Sequence, residues 1–91
     1  MRQFHKKIWK SYFDAVATGQ KTFELRLADW DCAPGDILIL DEVDDATKAP
    51  TGRSIRKTVG FVAKTKTLNF FTPEDVERYG YQIISLLDET D

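Results

Sequence analysis

The stretch "GQKTFELR", Gly19 to Arg26, decides how this chain is read. From Thr22 onward the period is two: Phe23, Leu25 and Leu27 share one parity, while Thr22, Glu24 and Arg26 share the other. That alternation predicts a strand with one apolar and one polar face. Its peculiarity is charge, since Lys21, Glu24 and Arg26 bring full charges of mixed sign into an element that otherwise covers a core. Glu24 and Arg26 lie about 6.5–7 Å apart on one face, close enough to pair or to share a ligand. Lys21 has the opposite parity, but it stands at the strand entrance, where the backbone is not yet regular. Two accounts stay open: a ligand site, or a set of structural ion pairs worth about 0.3–1 kcal/mol each.

Working outward, "FHKKIW" is a plausible first strand. Ser11 with Asp14 resembles a capping box with a shorter acid, and Tyr12, Phe13 and Val16 form an apolar helical stripe. Gly19 stands where that helix ends, giving a helix over 11–18. Downstream, Pro34-Gly35 makes a turn, and "ILIL" at 37–40 is apolar on both faces, as in an interior strand. The polar run after it, from Asp41 to Ser54, reads as a projecting hairpin connection, with "DEVDD" at 41–45 a solvated tip. Val59, Phe61 and Ala63 alternate within a strand over 55–67. Phe70 and Phe71 fall in a loop before a short helix with Thr72 as N-cap, Pro73 at its first position and Gly80 past its end. "YQIISLLDE" is a last strand, apolar on both faces, and the acidic tail Thr90–Asp91 is read as frayed.

Ninety-one residues suffice for one compact core, so a single domain over 1–91 is expected. The lone Cys32 cannot form an internal disulfide, which suits a reducing, cytoplasmic setting. No cysteine cluster or paired histidines offers a metal ligand set, and no apolar run approaches a membrane span. Neither a metal nor a cofactor is expected. Net charge is −2, yet it alternates by segment: +4 over 1–27, −6 over 28–50, +5 over 51–66 and −5 over 67–91. Two basic segments brought together would suit a small anionic ligand or a short RNA better than a long duplex.

These residues also resemble a known pattern. "GQKTFELR" fits the GxKxxExR signature of ASCH domains, which resemble PUA-like RNA-binding barrels, at Gly19, Lys21, Glu24 and Arg26. "KIW..YFDAV..GQKTFELR..D", "PGDILIL.E", "TGR" and "YGYQIISL" are similar to a small family of bacterial and phage ASCH-like proteins, from Lys7 to about Leu87. The resemblance implies an α+β fold, a small PUA-like mixed β-barrel of about five strands with two short helices. It also implies a binding cleft between the first helix and the barrel. The chain departs from those relatives in having Lys10 where the helix often begins with proline, and an acidic "LADWDC" where the turn is commonly basic.

The resemblance implies RNA or modified-nucleoside binding around Lys21, Glu24 and Arg26. Glu24 would accept from an exocyclic amine, and Arg26 would present its fork to a phosphate or carbonyl. Trp30, in a polar turn, is the candidate stacking residue, while Trp9 reads as helix packing. Arg53 is a further contact candidate, and Arg56 and Lys57 must point to opposite faces of their strand. His5, the sole histidine, reads as structural. Some ASCH relatives look like enzymes, so a ribonuclease or amidohydrolase with Lys21 catalytic is the alternative. Glu24 stands at the threonine position of the amidohydrolase branch and weakens that match. A protein-interaction module acting through the hairpin at 44–52 is the third.

Overall fold

The computed structural model describes Met1–Glu89. Strand β1 (Gln3–Trp9) runs directly into helix α1 (Lys10–Ala17), and strands β2 (Ile37–Val43) and β3 (Pro50–Thr58) follow. A single 3-10 turn at Thr65–Thr67 and helix α2 (Pro73–Tyr79) complete the regular elements. The fold is α+β, with a small mixed sheet ordered β1-β2-β3 in which β2 runs parallel to β1 and antiparallel to β3.

Strand β2 is central because it is apolar on both sides: Leu38 and Leu40 face α1, and Ile39 is buried on the opposite side. The α1 side of the sheet is laid out in rows across the register. Phe4, Leu38 and Lys57 form one row, Lys6, Leu40 and Ile55 the next, and Ile8 with Glu42 the last. Phe13 and Val16 of α1 close over Ile8, Leu38 and Leu40, and Phe4, Trp30, Ile55 and Val59 pack at the margin of that core.

The helix ends are satisfied in different ways. Helix α1 starts one residue earlier than its pattern suggests and takes no cap from Ser11. The Lys10 amide instead donates to Asp45 Oδ1 at 2.7 Å, so the β2–β3 hairpin supplies the cap. At its other end Gly19 adopts φ +80°, and the Lys21 amide returns to the Ala15 carbonyl at 2.9 Å. Helix α2 follows its pattern, with Thr72 Oγ1 accepting from the Asp75 amide at 3.2 Å and Pro73 first.

Two expected strands do not form, a third is displaced along the chain, and the sheet is not closed into a barrel. At 22–27 there is no ladder, because side chains take carbonyls that a ladder would use: Lys21 Nζ donates to the Phe23 carbonyl and Arg26 Nη2 to the Lys7 carbonyl. Leu25 and Leu27 consequently lie exposed. The strand expected over 55–67 spans Pro50–Thr58 instead; Val59 closes it by bonding to Asp36 and Gly35, and Phe61 is 92% exposed. The segment 81–89 has no ladder either, and Ile83, Ile84, Leu86 and Leu87 are exposed. The tail Thr90–Asp91 lies outside the described residues. Among the described residues, no helix is long and apolar enough to cross a membrane, and no group of His, Cys, Asp and Glu is placed to hold a metal ion.

"DEVDD" is not a solvated tip. Glu42 is 2% exposed, and it accepts from Thr51 Oγ1, from Arg53 Nε at 2.9 Å and from Arg53 Nη2. Asp44 accepts from the Ala46 and Thr47 amides, and Asp41 pairs with His5 Nδ1 at 2.9 Å. The Arg53 and Thr51 donors hold the Glu42 carboxyl below the usual carboxylate range, against the opposing effect of burial. A depressed folded value means that Glu42 stabilises the fold above about pH 4.3, its unfolded value, and loses that contribution as pH falls through the folded one. In Arg53→Met the carboxylate loses its main partner and burial pushes it upward, so stability should instead fall as pH rises from about 5 to 7. Urea unfolding at pH 4, 5.5 and 7 should show opposite slopes for wild type and R53M. Parallel profiles would remove the clamp from the account.

Candidate functional site

The return from α1 carries Gly19 to Arg26 across the margin of the sheet, and there the charged motif assembles. Lys21 Nζ lies 2.8 Å from Glu24 Oε1, and Arg26 Nε lies 2.9 Å from Glu24 Oε2, so one carboxylate bridges two cations. Lys21 also donates to the Phe23 carbonyl at 2.7 Å, and Arg26 Nη2 to the Lys7 carbonyl of β1. Strand parity alone separates Lys21 from Glu24. The irregular backbone of this segment brings them together, with Lys21 Nζ 4.7 Å from the centre of the Phe23 ring and 5.5 Å from that of Tyr12. The three side chains are 14%, 18% and 28% exposed, a partial desolvation that strengthens the pairing beyond that of a surface ion pair.

The cluster stands between two hollows. The larger, about 600 Å³, is lined by the apolar Val16, Leu38, Leu40 and Val59 and also by Lys57 and Lys64. The smaller, about 410 Å³, lies on the other side of the cluster, against Trp9, Tyr12 and Ile83. Lys21, Glu24 and Arg26 line both. The two basic sequence segments therefore meet at the larger hollow. Lys64 is held by Asp31 at 2.9 Å, whose carboxylate shifts the ammonium's pKa upward, whereas Lys57 has no ion-pair partner among the described residues.

Trp30 lies at the larger hollow, though not as a free stacking platform. Its ring packs on Phe4 with centroids 5.2 Å apart, and Lys6 Nζ sits 4.1 Å from its centre. Trp9, read as core, is 40% exposed, with Lys48 Nζ 5.3 Å from its ring. Arg53 does not join the cluster. It is engaged by Glu42 and by Asp14 Oδ1 at 3.2 Å, its guanidinium lies 4.7 Å from the Phe13 ring centre, and it does not line the larger hollow. Lys57 does line that hollow, a role the sequence left to chance between Arg56 and Lys57 although strand parity fixes it. His5 is exposed in its pair with Asp41 and lines neither hollow.

A double-mutant cycle tests the bridge. Lys21→Met and Glu24→Gln should be coupled by about 1 kcal/mol, more than an exposed pair usually gives, in urea unfolding at pH 7. Additive effects would mean that the carboxylate does not hold the ammonium.

No curated protein and no solved structure matches the chain. Residues 4–75, which run from the second residue of β1 into the first turn of α2 and include every member of the charged cluster, match the family described as Domain of unknown function (DUF3850), and the chain belongs to that family.

Proposed function

We propose that this chain is an ASCH-like domain that binds RNA or a modified nucleoside in the larger hollow. The observation that carries the reading is the gathering of ammonium, carboxylate and guanidinium heads on the wall of an apolar recess of about 600 Å³. Small-ligand sites have that volume, apolar walls and a few convergent polar groups. A nucleobase has flat apolar faces and a polar edge. Leu38, Leu40 and Val59 offer surface to the faces, while Glu24 would accept from an exocyclic amine and Arg26 would donate to a carbonyl or phosphate. Lys57, which lines the same hollow without an ion-pair partner among the described residues, favours an anionic ligand, and the alternating charge of the sequence segments favours a short one. A free Cys32, half-buried beside the same hollow, fits the reducing cytoplasmic setting proposed with it.

Barrel closure belongs to the same proposal. The Thr22 amide donates to Ser85 Oγ at 3.1 Å, one contact between the segments around 22–27 and 81–87 that closure would pair. Pairing them would add two strands beside the three-stranded sheet and cover Leu25, Ile84 and Leu86. A hydrolase acting through Lys21 is less well supported. The Lys21 head group is engaged as a donor to Glu24 and to the Phe23 carbonyl, and the sole histidine is elsewhere. An interaction module acting through the hairpin is less well supported too, since Asp44 and Asp45 are tied down by amides of the turn and of α1.

The test is NMR titration of uniformly labelled protein with the four ribonucleosides and with short oligoribonucleotides. Shifts should centre on Lys21–Arg26, and Lys21→Ala should weaken binding about tenfold or more while leaving the spectrum folded. For an oligonucleotide, the affinity should fall with salt at a slope of roughly −0.7 per phosphate contacted. The reading is overturned if no ligand shifts these amides at millimolar concentration, or if Lys21→Ala binds as wild type does.

A further inference from the structure

The second hollow is not needed for a single nucleoside, yet it is built from the same wall. Lys21, Phe23, Glu24 and Arg26 line both recesses, so the two are adjacent across one shared wall. The second is also lined by two large rings at the junction of β1 and α1, Trp9 and Tyr12, 40% and 54% exposed. Rings so exposed contribute little to the core. Lys7 lines the same recess, Lys48 Nζ lies 5.3 Å from the Trp9 ring centre, and Glu24, already bridged by two cations, is the only acid in the lining among the described residues. Exposed aromatic faces among lysines and an arginine, beside a neutralised carboxylate, make a surface complementary to a stacked base with its phosphate.

We propose that the second hollow takes the nucleotide adjacent to the one held in the first, so that the ligand is a single-stranded oligoribonucleotide lying across the Lys21–Glu24–Arg26 wall. This rests on the reading of the first hollow as a base site. The wall then has one function on each side: Glu24 addresses the edge of the base in the apolar recess, and the Lys21 and Arg26 cations neutralise the phosphate that crosses between the recesses. Trp9 stacks the second base. It is a specificity element for length, because it reads a base face and no base edge.

The experiment compares adenosine 5′-monophosphate with the tetranucleotide rA4 at one fixed salt concentration, using wild type, Trp9→Ala and Trp9→Phe. Wild type should bind rA4 roughly 5- to 100-fold tighter than the monophosphate, the gain expected of one stacked base. Trp9→Ala should lose that gain while keeping its affinity for the monophosphate, and Trp9→Phe should retain most of it. Trp30→Phe, once its monophosphate affinity is shown by NMR to match wild type, leaves Trp9 as the only tryptophan of the chain's two, so quenching by rA4 and not by the monophosphate reports the stacking directly, even if Trp9→Ala folds poorly. The proposal is overturned if rA4 binds no tighter than the monophosphate, or if the gain survives Trp9→Ala. In either case intact monophosphate binding leaves the first hollow's reading standing. Failure of both ligands to bind wild type removes both.

Discussion

One buried carboxylate organises this fold. Glu42 sits at the end of the central strand on the same face as Leu38 and Leu40, where an unpaired charge would be prohibitive. Arg53 reaches it from β3, with Thr51 as a second donor, and the same guanidinium extends to Asp14 and lies against the Phe13 ring on α1. Three elements are therefore fixed by one planar group. A buried pair of this kind adds little net stability over an apolar replacement, but its hydrogen bonds are directional in a way that apolar packing is not. Here the direction matters because it sets α1 over one end of the sheet. The other end, at Leu38 and Lys57, is left beneath the returning chain, and the larger hollow forms there.

The second cluster uses the same chemistry with a different outcome. Arg53 is engaged by two carboxylates and a ring, whereas Arg26 shares one carboxylate with Lys21 and takes a single backbone carbonyl. Glu42 is closed off from solvent, and Glu24 borders two recesses. An arginine clamped from several sides positions protein elements. One held from one side, at the lip of a cavity, keeps part of its fork available to something else. The distinction is one of surroundings and cannot be made from residue type.

That distinction marks the boundary of what was legible in the chain itself. β1, α1, β2 and α2 were readable because their signals are local: apolar periodicity, Gly19 and Gly80 at positive φ, and Thr72 before Pro73. The alternation in "ILILDEV" also places Glu42 on the Leu38 and Leu40 face, a signal sufficient to find the buried carboxylate but obscured by the acids around it. Segment 22–27 misled for a physical reason. Its period of two is real, but Lys21 and Arg26 bond carbonyls that a strand would give to a neighbour, so a charged motif displaced the secondary structure predicted for it. Arg53 was placed with the ligand residues because nothing nearby in sequence shows that Glu42, eleven positions earlier, lies against it.

The walls of the larger hollow differ in how they are held, and this bears on recognition. One side is sheet and helix: Leu38, Leu40, Lys57 and Val16, fixed by ladder bonds and the core. The other is made of Lys21–Arg26 and Phe61–Lys64, segments without ladder bonds and with Phe61 almost wholly in solvent. Segments of the second kind open at lower free energy than the first, because fewer buried contacts and backbone bonds must break together. A floor held by ladder bonds therefore faces a more adaptable wall that carries the Lys21–Glu24–Arg26 charges. If the hollow takes a base as proposed, its flat faces would meet the floor, and its edges and charges would meet side chains whose backbone can shift toward them. Placing the charged motif outside the regular sheet keeps this wall free of ladder bonds; a regular ladder extended through Lys21 would hold it on the opposite face from Glu24 and dissolve the cluster.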